Sequence, residues 1–68
     1  MAVRPYEFQV EGYLAEQGRE SFADLDIEEV PAGLVLRGEV VDESHLHGIM
    51  ARFRVHGLVV VSAQPLRE

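Results

Sequence analysis

The stretch Leu34–Val61, LVLRGEVVDESHLHGIMARFRVHGLVVV, decides the fold. Its first arm alternates. Leu34, Leu36, Gly38 and Val40 fall on one side of an extended chain and Val35, Arg37, Glu39 and Val41 on the other, the period-two pattern of a half-buried strand. Asp42 follows, whose side-chain oxygen can accept from the free backbone N–H groups that open a helix, and Glu43 adds a charge that suits the first turn. Leu46, Ile49, Met50 and Phe53 then recur at i, i+3, i+4 and i+7, a stripe able to lie on a sheet. Gly57 supplies a left-handed stop, and Leu58 can fold back on the last turn. The run Leu58–Val61 is apolar and β-branched, which predicts a strand with Val59, Val61 and Ala63 pointing inward and Pro65 at its end.

Working outward, Tyr6 to Leu14 also alternates, with Tyr6, Phe8, Val10 and Leu14 on one side and Glu7, Gln9 and Glu11 on the other. Gly12 falls on the apolar side, where a missing side chain lets a helix or backbone come close. Ala15 to Ala23 is interrupted by Gly18, and around it only Phe22 and Leu25 look buried, so it reads as a loop or a short helix. Asp26 to Val30 predicts a short strand with Ile27 inward, and Pro31-Ala32-Gly33 a tight turn into Leu34. The fold class is α+β in one domain spanning residues 1–68. Either it is a small ferredoxin-like βαββαβ arrangement with a reduced first helix, or a βββαβ antiparallel sheet with one covering helix. The outward Glu7, Gln9, Glu11, Arg37 and Glu39 require water or a polar partner on the other face.

Composition narrows the function by exclusion. A core of 68 residues supplies only about 3–5 kcal/mol unaided, and with no cysteine there is no disulfide or thiolate metal site to supplement it. A partner chain is the remaining source of stability, so a homodimer is expected. The net charge is −6, and eleven of the twelve carboxylates lie between Glu7 and Glu43. Such a chain repels a phosphate backbone, and its six basic residues, all arginine, form no cluster, so nucleic acid is not an expected partner. No apolar run reaches the roughly 18 residues of a membrane span, and Met1-Ala2-Val3-Arg4-Pro5 lacks the apolar segment of a leader. The expectation is an acidic, cytoplasmic protein with no membrane contact.

The string Val41-Asp42-Glu43-Ser44-His45-Leu46-His47-Gly48, with Ala51-Arg52-Phe53-Arg54 and Gly57-Leu58 after it, resembles the C-terminal half of short uncharacterised actinobacterial proteins. These carry an aspartate, a Leu-His-Gly and an arginine-containing helix ending in Leu-Gly-Leu. Here the helix ends His56-Gly57-Leu58 instead. The resemblance covers about half the chain, implies a small free-standing protein, and carries over no site residue.

Chemistry-bearing residues are present but not assembled by spacing. On a helix His45 and His47 point about 200° apart, and His45 and His56 lie about 16 Å apart along the axis, so neither pair chelates one ion. Ser44 sits in the first turn near His45 and His47, a place where serine commonly caps. Glu28-Glu29, Glu7 and Glu11 read as solvated strand acids, and the six glycines make no phosphate loop. No catalytic residue, metal or cofactor is expected, and the chain is not read as an enzyme.

Gly48 is the exception that asks for a reason, since glycine inside a helix costs about 1 kcal/mol relative to alanine. With its angular neighbours Ala51 and Val55 it forms a smooth uncharged strip opposite Leu46 and Phe53. Either that strip meets a second chain, or it packs under the N-terminal arm or first loop of its own chain. Two functions remain in view: a non-catalytic protein-interaction module that self-associates through Gly48, Ala51 and Val55, and a regulatory domain binding a small metabolite on a ferredoxin-like scaffold.

Overall fold

A computed structural model describes residues 3–66. Met1, Ala2, Arg67 and Glu68 lie outside it, and with the first two the start of the stretch read above for a leader. The elements are β1 (Arg4–Glu11), α1 (Glu16–Glu20), β2 (Asp26–Val30), β3 (Gly33–Val40), α2 (Glu43–Val55) and β4 (Val59–Pro65). The strands form one sheet in the order β2-β3-β1-β4, and every neighbouring pair is antiparallel. With α1 in place this is the ferredoxin-like arrangement with a reduced first helix, one face covered and the other open.

The covered face is where the apolar periodicities meet. Phe8 and Val10 of β1 and Leu34, Leu36 and Val40 of β3 lie against Ile49 and Phe53 of α2, and Leu14, Phe22, Leu25 and Leu58 close the layer from the loops. Phe53 is the hub: its ring stands edge-on to Phe8 at 5.3 Å and stacks on Phe22 at 5.2 Å. Such aromatic pairs contribute about 0.5–1.5 kcal/mol beyond their buried area. Leu46 and Met50, the other half of the predicted stripe, are partly buried at its margin.

Helix α1 is short for local reasons. Ala15 offers no capping side chain, Gly18 sits mid-helix, and none of its residues is buried. Cover on that flank comes instead from Phe22 and Leu25 in the turns that follow. Gly38 admits Leu25, because a Cβ there would run into the Leu25 side chain.

Four expectations need correction. Strand β1 ends at Glu11, not Leu14, since Gly12 takes φ 131° and turns the chain; Leu14 is still buried, but from the loop. The close neighbour at Gly12 is a side chain and not a helix or backbone: Leu58 Cδ2 would lie 2.7 Å from an added Cβ. Val35, placed outward, is nonetheless buried, because it sits on a central strand with Gln9 and Glu28 opposite it on either side. The largest correction is in β4: Val59 and Val61 are not inward but 61% and 58% exposed. Gln9 pairs with Ser62 and Val10 with Val60, so Val61 is an extra residue, a β-bulge that shifts the alternation. Val60 and Ala63 are the residues that reach the core.

No helix among the described residues is long and apolar enough to cross a membrane.

Candidate interaction surface

Two terminal devices fix how α2 is rotated on the sheet. At its start Asp42 Oδ1 accepts the His45 backbone N–H at 2.8 Å, and His45 Nδ1 accepts the Val41 N–H at 3.0 Å. Each side chain thus satisfies a backbone donor near the helix start. At its end the Leu58 N–H reaches the Phe53 carbonyl and the Gly57 N–H the Arg54 carbonyl, the two bonds of a Schellman closure, with Gly57 at φ 75°. With the helix held so that Ile49 and Phe53 face the sheet, the strip Gly48, Ala51 and Val55 faces solvent. A Cβ on Gly48 would meet no atom within 4 Å among the described residues, so neither the first loop nor the described part of the N-terminal arm covers it. Val55 is 81% exposed. Ala51 turns toward β4, while Gly48 and Val55 remain on the outer side.

The two flanks of α2 differ. On the β2 side Arg52 is a clamp: Nη1 donates to the Ser21 carbonyl at 2.7 Å and to Asp24 Oδ1 at 3.2 Å, and Nη2 to Asp24 Oδ2 at 3.0 Å. Its guanidinium also lies 5.3 Å from the centre of the Phe22 ring. The hydrogen bond from Arg52 holds the Asp24 carboxyl below its ordinary range, against a weaker opposing push from partial burial. Among the described residues the β4 side has no such clamp. An open groove of about 690 Å³ runs between the helix and the edge strand, with Met50, Ala51 and Arg54 on one wall and Leu58, Val59 and Val60 on the other.

The uncovered sheet face neutralises its own centre. Arg37 Nε donates to Glu7 and Nη1 to Glu28, each at 3.0 Å, so one guanidinium spans β1, β3 and β2. Those bonds, Glu28 first and Glu7 second, raise the Arg37 pKa above its ordinary value.

The edges of the sheet also differ. Strand β2 carries Asp26, Glu28 and Glu29, with Glu29 bound by Arg19 of α1. Strand β4 carries no charge from Val59 to Pro65. The exposed Val59 and Val61 are the surface residues that the sequence reading missed. A signal existed: if Leu58 folds back to close the helix, alternation makes Val60 the next inward residue and puts Val59 outside.

The remaining candidates stay apart. His45 is engaged at the helix start, His47 lies at the groove, and His56 packs on Phe22 with ring centroids 5.3 Å apart. Among the described residues no group of three or more His, Asp or Glu side chains is placed to share a metal ion, and every buried side chain is apolar.

The model of a family described as a domain of unknown function, DUF8691, matches residues 5–64. No curated protein and no solved structure matches the chain.

Proposed function

The chain belongs to the DUF8691 family, and from its geometry we propose that it is a non-catalytic interaction module that self-associates through the β4 side of α2. The observation that carries this is continuity. The uncharged strip of the helix opens, through Ala51, into a groove whose other wall is an uncharged edge strand with two exposed valines. Arg54 is the charged residue on the helix wall of that groove, whereas elsewhere charges are paired or gathered, in the Arg52 clamp, the Arg37 bridge and the acidic β2. An apolar patch rimmed by polar residues is the ordinary mark of a protein contact, and Gly48 lets a second backbone come near, which gives its helix penalty a purpose.

Light scattering at micromolar concentration is expected to give twice the chain mass. Gly48→Glu with Ala51→Glu is expected to return the mass of one chain, with the far-UV circular dichroism unchanged, because neither side chain touches the core. A wild type that weighs as one chain refutes self-association. A double variant that keeps the doubled mass moves the contact off this side of the helix.

A second reading, a regulatory domain that binds a small metabolite, draws support from the same groove, whose volume is that of a small-molecule site. It is the weaker one, since the groove is open and no buried polar side chain among the described residues is placed to orient a ligand. Under that reading a metabolite raises the melting temperature in proportion to the logarithm of its concentration.

A further inference from the structure

The two open edges of the sheet are not equivalent, and their difference selects a partner and a geometry. A row of unpaired backbone donors and acceptors is a template for another strand, and proteins blunt it with charge, proline or a bulge. Strand β2 is blunted by three carboxylates, which any strand laid beside it would strip of water. Strand β4 has no carboxylate, only the bulge at Val61 and Pro65 at its end, and its sequence Val59-Val60-Val61-Ser62-Ala63-Gln64 is strongly β-forming. Its backbone is also oriented to pair. Leu66 donates its N–H to the Pro5 carbonyl at 2.8 Å, and along an antiparallel pair successive residues point their polar groups to opposite sides. The polar groups of Ala63 and Pro65 therefore point to the open edge, and Pro65 has no N–H to leave bare there.

We propose that a second copy of this chain lays its β4 antiparallel against β4 of the first, about a two-fold axis normal to the sheet, joining two four-stranded sheets into one of eight strands. The proposal rests on the self-association reading above and adds the contact that makes it. Charge selects the occupant. Each copy carries −6, so two copies approach most favourably where both are neutral, and β4 against β4 is the edge pairing that desolvates no carboxylate of either edge. A two-fold of this kind also closes the assembly at two. The free edges of the joined sheet are then both β2, acidic and barred to further strands. The symmetry places both α2 helices on the same face, flanking the joint, with the two grooves facing each other. The bulge at Val61 keeps the flat part of the ladder short, so the Gly48–Ala51 side of the helix has to contribute to the contact as well.

The test is Ala63→Pro, which removes the N–H that faces the open edge and leaves the bonds to β1 in place. By light scattering on the full chain, wild type is expected at twice the chain mass and Ala63→Pro at one, with unchanged circular dichroism. A doubled mass in Ala63→Pro overturns the edge pairing. If the Gly48→Glu, Ala51→Glu variant is then a single chain, self-association through the helix stands without it. A wild type of single mass overturns both readings. Should Ala63→Pro not fold, hydrogen exchange in the wild type decides: the Ala63 amide is expected to exchange at least tenfold more slowly at concentrations that give the doubled mass than after dilution to single chains. Equal rates overturn the pairing.

Discussion

The flank of α2 above β2 and the flank above β4 are covered by the same helix, yet one is finished and the other is not. On the β2 side the chain lacks a proper first helix and compensates with Phe22 and Leu25, locking the loop that carries them with Arg52 through two bonds to Asp24, one to Ser21 and a stack on the Phe22 ring. On the β4 side it places Met50, Ala51 and Arg54 on the helix and valines on the strand, and leaves a groove between them. Lack of a second helix does not explain the open flank, because the other flank shows how this chain closes a gap with a loop. The two flanks are therefore finished differently: one is locked to its loop by Arg52, and the other keeps an open groove with exposed valines along its strand wall.

That division breaks first if the finished flank proves dispensable. Phe22→Ala removes a fully buried ring from contact with Phe53, at an expected cost of about 3–5 kcal/mol. This is close to the whole stability of about 3–5 kcal/mol expected of a core this size. Urea unfolding followed by circular dichroism should find the variant largely unfolded, and a stable, cooperative variant would show that Phe22 does not anchor the layer. Next is the clamp. Asp24→Asn is expected to lower stability at neutral pH by about 1 kcal/mol or less, since the pair is part-exposed and screened. The pH dependence carries a sign: the Asp24 carboxyl is depressed in the folded chain, so its contribution is fully present above the unfolded value, near 3.8, and is lost as pH falls through the lower folded value. Chemical unfolding at several pH values from neutral into that range should show an acid loss in wild type that is smaller in Asp24→Asn. The smallest effect belongs to the open flank. Val59→Thr should change the stability of the single chain by no more than about 0.5 kcal/mol, as an exposed site does, while shifting the midpoint of self-association measured by dilution. A large loss of single-chain stability would mean that Val59 belongs to the core.

Much of α2 was legible in the sequence because its signals are local. Asp42 reaches a donor three residues on, Gly57 and Leu58 close bonds back within five residues, and the stripe through Ile49 and Phe53 repeats within one helix. The strip Gly48, Ala51 and Val55 was legible by the same periodicity, and the structure leaves it facing solvent. The groove beside it was not, because half of it is β4, whose inward phase was misread. An unbroken valine run has no internal alternation, so its phase could be taken only from Leu58 before it, and the bulge at Val61 is set by the register against β1, some fifty residues earlier in the chain.

With α1 left open between a loop and a short helix, this chain determines from its residues alone the order of its four strands and of α2, the start and stop of that helix, and its acidic charge. Each follows from forces acting over a few residues or from simple charge. Tertiary structure alone decides that Val35 is buried on the open face, that Arg37 spans three strands, that Arg52 clamps the loop after α1, and that β4 lies at an edge with Val59 and Val61 outside. Those features depend on which strands become neighbours, and the pairing that sets it joins segments far apart in sequence, where no local pattern records the partner.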